Sequence, residues 1–316
     1  MRAVTIRDEQ IVIEEHPDPV PGKGELLVRV HAAGLNGADM HQRRGLYPAP
    51  PGWPADIPGM ELAGEVAALG EGAERFAEGE RVMAIIGGGA QAELAVAHER
   101  LFMPVPRNLD WPDAGGLPEV FVTAHDALFT QAGLGPGDHL LVHGGAGGVG
   151  TAAIQLANAA GARVTATVRH EALREAVAEL GAEVIPPEGF AEHGPFDLIL
   201  ELVGAGNLPE NLASLATGGR IAVIGSSAGA KGELNLLLLM VKRARILGST
   251  MRSRPLEDKA LLARRLEHDV LPLFDSGVLR VPIAATFPLE QAAAAYERFE
   301  AGGKLGKIVL VLAPAQ

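Results

Sequence analysis

The stretch His139–Arg169, HLLVHGGAGGVGTAAIQLANAAGARVTATVR, constrains this chain more than any other. An apolar strand, Leu140–Val142, runs into a glycine cluster, an Ala/Ile/Leu-rich helix opens behind it, and a second strand follows at Arg163–Val168. Gly145, Gly147 and Gly150 satisfy G-x-G-x-x-G, with Gly148 and Val149 between the last two. That pattern is weak alone, but inside a βαβ unit of about 30 residues it marks a dinucleotide site. One glycine permits the sharp turn, one lets a pyrophosphate approach a backbone without Cβ, and one lets helix and strand pack closely. The helix N-terminus then presents unpaired N–H groups and a partial positive charge to the anion.

The end of the second strand selects between cofactors. Units that bind NAD usually place an acid there, about 20 residues past the glycines, to accept from the ribose 2′-hydroxyl. Here the strand ends Thr167-Val168-Arg169-His170, so a cation replaces the acid. A carboxylate repels a 2′-phosphate, whereas a guanidinium makes paired, charge-assisted bonds to it. The expected cofactor is NADPH, with Arg169 at the phosphate. Glu171 lies past the strand, where it caps the next helix.

Around this unit the chain changes character twice. Residues 1–35 and 59–106 read as short strands, including Ala3–Ile6, Ile11–Glu14, Glu61–Ala68, Arg81–Ile86 and Gln91–Ala97, the pattern of a small β-barrel-like domain. Residues 36–58 form a long loop with two short helical possibilities and a proline-rich end; a segment so long and irregular is usually functional or mobile. Helical spacing covers Ala114–Gln131. Strands then alternate with helices at Glu183–Ile185, Asp197–Leu202, Arg220–Ile224 and Arg245–Thr250, which predicts a doubly wound parallel sheet. The segment from Ile185 to Phe196 is short and carries no convincing helix. Helices at Leu256–Phe274 and Leu289–Glu300 and a strand at Lys307–Leu312 complete the chain.

With 316 residues, two domains and a large core are expected. A formal net charge of −12 opposes binding to nucleic acid or to an anionic membrane surface. The longest apolar run, Leu234–Val241, is too short to span a bilayer, and the N-terminus has no apolar signal region. The chain has no cysteine, which rules out disulfides and thiolate metal sites and fits a cytoplasmic setting. His139 and His143 share a strand face but find no third ligand, so no metal site is expected.

Several stretches together resemble the medium-chain dehydrogenase/reductase superfamily. They are Ala33-Gly34-Leu35-Asn36 with Asp39, Arg44-Gly45-Leu46-Tyr47-Pro48, Pro58-Gly59-Met60-Glu61, Val122-Thr123-Ala124 and Gly306-Lys307-Ile308-Val309. Their order is similar to the zinc-free quinone oxidoreductases, the zeta-crystallin-like branch. Gly88-Gly89-Ala90-Gln91-Ala92 and Met251-Arg252-Ser253-Arg254 look most like the tumour-suppressor-inducible subgroup. The resemblance implies an α/β fold, with a doubly wound Rossmann sheet at 119–253 inserted into a β-rich, GroES-like catalytic domain at 1–118 plus 254–316. Zinc-dependent relatives carry a Gly-His-Glu segment whose His binds zinc; here that position is Met60, and a thioether is a poor zinc ligand.

By the same resemblance, Tyr47, one of two tyrosines, matches a substrate-pocket tyrosine. Asn36 matches a residue facing the nicotinamide and active-site water, and Thr123 one near the nicotinamide ring. His41 stands where relatives often have a second tyrosine. The cofactor set extends from Gly145, Gly147, Gly148, Val149, Gly150 and Arg169 to His170, Gly225, Met251 and Arg252. Relatives supply Ser and Lys to the 2′-phosphate where this chain has His170 and Ala172, leaving Arg169 to compensate. The implied activity is NADPH-dependent reduction of quinones, by hydride transfer to a conjugated carbonyl polarised by a hydroxyl or amide. Reduction of the C=C bond of enones or enoyl-thioesters, or nucleotide binding with little turnover, stay open as alternatives. The family also implies a homodimer, with Arg245–Thr250 pairing across a two-fold axis.

Overall fold

The computed structural model describes residues 1–312, which form two compact units. The first comprises Met1–Val122, Met251–Gly302 and the strand from Lys307; the second comprises Thr123–Thr250 with Gly303–Gly306. The boundaries expected at 118/119 and 253/254 therefore move to 122/123 and 250/251, and a four-residue piece of the C-terminal return joins the second unit.

In the first unit, β1 (Arg2–Arg7) and β2 (Gln10–Glu15) form a hairpin through Asp8 and Glu9, both at positive φ. Five strands of a seven-stranded sheet follow, β3 (Glu25–Gly34), β4 (Glu61–Leu69), β5 (Arg81–Ile85), β6 (Leu94–His98) and β7 (Phe102–Pro104), the other two coming from the end of the chain. Helix α1 (Gly37–Arg43) leaves directly from the end of β3. It is the only helix between residues 36 and 58, because Pro48, Pro50, Pro51 and Pro54 stop any second one. The strand expected from Gln91 begins only at Leu94, since residues 91–93 bond to the neighbouring segments Arg2–Val4 and Pro58. Helices α2 (Trp111–Gly116) and α3 (Pro118–His125) come next, α2 being capped by Asp110, which accepts from the Asp113 N–H at 2.9 Å.

The second unit is built on strands β8 (His139–Val142), β9 (Arg163–Thr167), β10 (Glu183–Ile185), β11 (Phe196–Glu201), β12 (Leu215–Val223) and β13 (Arg245–Gly248). The order β10-β9-β8-β11-β12-β13, parallel throughout, is that of a doubly wound dinucleotide-binding sheet. Helices α4 (Gly148–Ala159), α5 (Arg174–Ala178), α6 (Leu208–Ser214) and α7 (Leu236–Lys242) connect the strands. The segment expected to lack a helix holds one 3₁₀ turn, Phe190–His193.

The chain returns to the first unit through α8 (Leu256–Asp269) and α9 (Leu271–Asp275). One continuous helix to Phe274 does not form, because Pro272 lacks an N–H and its ring crowds the preceding turn. β14 (Ile283–Pro288), α10 (Ala292–Glu300) and β15 (Lys307–Val311) finish it. β15 pairs with Ala32–Gly34 and β6 with Glu25–Arg29, so two strands share one edge of β3 while β4 takes the other. The alternation of buried Leu26, Val28 and Val30 on β3 turns one face into a core that includes Phe102, Tyr296 and Leu310.

Candidate active site

The predicted residues divide between the two units. In the first, the end of β3 delivers Asn36 to the start of α1 as its N-cap, and Asp39 in the first turn accepts the Asn36 N–H at 2.8 Å. The Asn36 side chain does not turn outward. Its Oδ1 accepts from Lys307 Nζ at 2.6 Å and its Nδ2 donates to Glu61 Oε1 at 2.9 Å. Lys307 closes this arrangement with an ion pair to Glu61 at 2.6 Å and a bond to the Leu35 carbonyl at 2.8 Å. Glu61 Oε2 accepts the backbone N–H of Glu119 at 2.8 Å. With Glu61 and Lys307 both buried, each ion depends on the other, and removing one partner costs about 3–5 kcal/mol. The Asn36 amide, expected to face the nicotinamide and active-site water, is held by the Lys307–Glu61 pair.

Tyr47 lies four residues past α1, in the proline-rich loop. Its hydroxyl oxygen accepts from the backbone N–H of Arg252, and burial raises its pKa above the usual phenol value, so the phenol keeps its proton and is a donor at neutral pH. The Tyr47 carbonyl accepts from Arg252 Nη1 at 2.7 Å, and the Arg252 guanidinium sits 5.4 Å from the centre of the Tyr47 ring. Met251 and Arg252, expected at the cofactor, belong to the first unit. Met251 packs among Ile85, Met103 and Leu262, and Arg252, 1% exposed, directs its donors to Gly87, Tyr47 and Gln42. Nothing local to Met251-Arg252-Ser253-Arg254 signals that Arg252 is buried.

In the second unit the glycine loop follows β8. Gly147 caps α4, with Gly148 and Val149 in the first turn, and no side chain occupies the helix N-terminus. A Cβ on Gly145 would stand 2.9 Å from that of Ala166, and one on Gly150 would strike the Gly144 carbonyl and the Gly145 Cα. The loop is therefore a backbone cradle at a helix N-terminus, which fits a pyrophosphate. Gly306 donates to the Ala146 carbonyl at 2.8 Å and bridges to Gly147, bracing the loop from the C-terminal piece of the unit. At Gly225 a Cβ would strike the Leu202 carbonyl, so this glycine is explained by packing of the chain on itself.

Arg169 is exposed two residues past β9, its Nη2 lying 3.5 Å from Nε2 of the equally exposed His170. Thr123 is buried on α3.

Beneath the glycine loop runs a chain of hydrogen bonds that sequence reading did not anticipate. Gly144 N–H donates to Thr167 Oγ1 at 3.3 Å, and that hydroxyl lies 3.2 Å from His143 Nδ1. His143 Nε2 is 2.7 Å from Asn211 Oδ1, and Asn211 Nδ2 donates to Glu201 Oε2 at 2.8 Å. Glu201 Oε1 accepts the N–H groups of Val203 at 2.7 Å and Gly204 at 2.9 Å. Burial lowers the His143 pKa, and the amide acceptor at Nε2 selects the Nε2–H tautomer of the neutral ring. The network ties the ends of β8 and β11, where the strand order reverses and ligands bind in such sheets. The available signal was Glu201 itself, an acid ending the apolar run Leu198–Leu200.

His139 is separate from this network, bonding Thr165 Oγ1 at 2.9 Å and the Pro195 carbonyl at 3.2 Å. No group of three or more His, Cys, Asp or Glu suited to a metal occurs among the described residues.

Two family models match the chain: "Alcohol dehydrogenase GroES-like domain" over residues 22–107 and "Zinc-binding dehydrogenase" over residues 148–267. The chain is 32% identical to the quinone oxidoreductase of Rattus norvegicus, over 93% of its own length and 91% of the relative's. Among solved structures, an alcohol dehydrogenase superfamily protein from Novosphingobium aromaticivorans superposes with a TM-score of 0.89 at 29% identity, covering 99% of this chain and 100% of that one. An NAD-dependent alcohol dehydrogenase gives a TM-score of 0.87 at 30% identity, with the same coverage. The chain belongs to the medium-chain dehydrogenase/reductase superfamily, with zeta-crystallin-like quinone oxidoreductases as its homologues, and is an oxidoreductase with a nicotinamide-dinucleotide fold.

The zinc named in one family description does not fit the residues present. The chain has no cysteine, Met60 is buried at the position beside Glu61, and Glu61 is engaged by Lys307, Asn36 and the Glu119 N–H.

Proposed function

We propose that this protein reduces quinones with NADPH without a metal ion. The observation that carries the reading is the donor set of the first unit. Without zinc ligands at Met60 and Glu61, developing negative charge on the acceptor oxygen must be met by a hydrogen-bond donor. Tyr47 supplies one: a protonated phenol, its oxygen accepting from the Arg252 backbone N–H, on a loop held by the Arg252 side chain. Quinones suit such a site because conjugation spreads the charge. Full-length similarity to a quinone oxidoreductase supports the same substrate class.

Bound nicotinamide supplies the hydride. Tyr47 donates a hydrogen bond to the quinone carbonyl, and a proton from it or from water completes the hydroquinone. The backbone of Gly145–Gly150 would hold the pyrophosphate, and the exposed Arg169 guanidinium would take the 2′-phosphate. We further propose that the enzyme is a homodimer joined along β13, that it is cytoplasmic, and that it binds neither nucleic acid nor membrane. No helix among the described residues is long and apolar enough to cross a membrane.

The test is acceptor-dependent oxidation of NADPH, followed at the cofactor's absorbance, with a simple quinone and an enone offered in parallel. Faster turnover of the quinone is expected. Tyr47→Phe should lower kcat on the order of 100-fold, within the range of general acid catalysis, with KM for NADPH unmoved. Arg169→Glu should reverse the preference for NADPH over NADH. Preferential reduction of the enone would move the substrate to conjugated C=C bonds, and no acceptor-dependent oxidation would sink the reading.

A further inference from the structure

We propose that Arg252 is a positioning residue that pins the acceptor-side loop at two points and thereby sets affinity for the acceptor. The inference rests on the reading of Tyr47 given above and adds a residue whose side chain touches no reacting atom. Between Tyr47 and Ala55 the loop contains four prolines, and few of its backbone groups are paired with one another: Trp53 N–H bonds the Pro50 carbonyl at 3.2 Å, and just before it Leu46 N–H bonds the His41 carbonyl at 2.9 Å. Its geometry must come from outside.

Arg252 supplies it. Nη1 holds the Tyr47 carbonyl at 2.7 Å, Nη2 holds Gln42 Oε1 at 2.6 Å, and Nε holds the Gly87 carbonyl at 2.7 Å. Gln42 passes the restraint onward, its Nε2 donating to the Ala55 carbonyl at 3.1 Å. Arg252 thus fixes residue 47 directly and residue 55 through Gln42, and the prolines lie between these pins. Trp53 is in the same segment, packed on Gly87, where a Cβ would collide with its indole. Residue 252 is itself held: Lys259 Nζ from α8 donates to its carbonyl at 2.7 Å and lies 5.8 Å from the centre of the Trp53 ring.

The chemistry calls for arginine. Its three partners here are neutral oxygens from three separate segments, so the buried cation has no hydrogen-bonded counter-ion to offset desolvation. Burial accordingly lowers its pKa. A planar fork can reach three carbonyls in fixed directions at once, whereas an ammonium on a flexible stem cannot. Such a cost in the fold is explained by the loop it orders, with Tyr47 at one pin.

The test uses Arg252→Lys, Arg252→Met and Gln42→Leu in a Trp111→Phe background, which leaves Trp53 as the only tryptophan. Expected are a rise in KM for the quinone on the order of tenfold or more, an unmoved KM for NADPH, and stronger acrylamide quenching of Trp53. Arg252→Lys should not rescue either effect. If Arg252→Met does not fold, Gln42→Leu, which releases only the pin at Ala55, answers the same question. Unchanged Trp53 quenching, an unchanged quinone KM, or a loss shared equally with NADPH would each overturn the proposal. Should the unaltered enzyme reduce no acceptor, the functional reading fails by itself, and Trp53 quenching alone then decides whether Arg252 pins the loop.

Discussion

Asp39 shows how far one residue can be read from its neighbours. It is fully buried, accepting backbone N–H groups of Asn36 and Gly59 at 2.8 and 3.2 Å, with Lys307 and Arg252 acting on it through their charge. Desolvation outweighs these and raises its pKa to about 6. In the unfolded chain the group titrates near the ordinary value of about 3.9, so between these values the folded state holds the proton more tightly. Its contribution to stability is fully present below about pH 4 and is lost as pH rises through about 6, amounting to about 3 kcal/mol. The unfolding free energy of the native protein minus that of Asp39→Asn should therefore fall between pH 4 and 6.5 in urea titrations; a difference independent of pH would refute the assignment. At this scale the sequence was readable where meaning is local. Met60 and the missing cysteines declared their chemistry by identity. The partner of Asn36 did not, because Lys307 is 271 positions away and only the pairing of β15 with β3 brings it there.

At the scale of elements, the βαβ unit was legible because its determinants are contiguous: strand, glycines and helix follow one another in one stretch. The break at Val270 was legible in principle from Pro272, and helical periodicity concealed it, since α8 and α9 keep the same apolar spacing. The double pairing on one edge of β3 was not legible, because alternation reports which face is buried and says nothing of which strands lie alongside. The glycine loop allows a sharp test. Gly150 faces the Gly144 carbonyl and the Gly145 Cα within the same turn, so a methyl group there displaces the cradle itself. Gly150→Ala should raise KM for NADPH on the order of tenfold or more with little change in far-UV circular dichroism, because the helix behind the loop tolerates alanine well. Equal cofactor affinity in the variant and the parent would mean that the loop does not hold the pyrophosphate.

The molecule as a whole presents one surface that its own chain does not cover. α7 exposes Leu236 at 64%, Leu237 at 69%, Met240 at 71% and Val241 at 68%. Beside it, β13 ends the six-stranded sheet with one edge unpaired among the described residues, carrying Ile246 at 37% exposure. Parallel sheets ordinarily bury both faces, and an open apolar edge is a template for pairing with another chain. The proposed second copy, related by a two-fold axis, would satisfy both features at once, with β13 pairing with its counterpart and the apolar residues of α7 set against the same patch of the partner. The apolar run at 236–240 was visible in sequence, equally compatible there with an internal helix, and its exposure in the folded chain favours the interface. Sedimentation equilibrium at micromolar concentration should give twice the chain mass. Leu237→Glu combined with Ile246→Lys should give the single chain mass, with Thr165 and the rest of the sheet interior untouched and the far-UV spectrum preserved. A monomer in the unaltered protein, or a dimer that survives both charges, would place the contact elsewhere and leave the apolar face of α7 without an explanation in self-association.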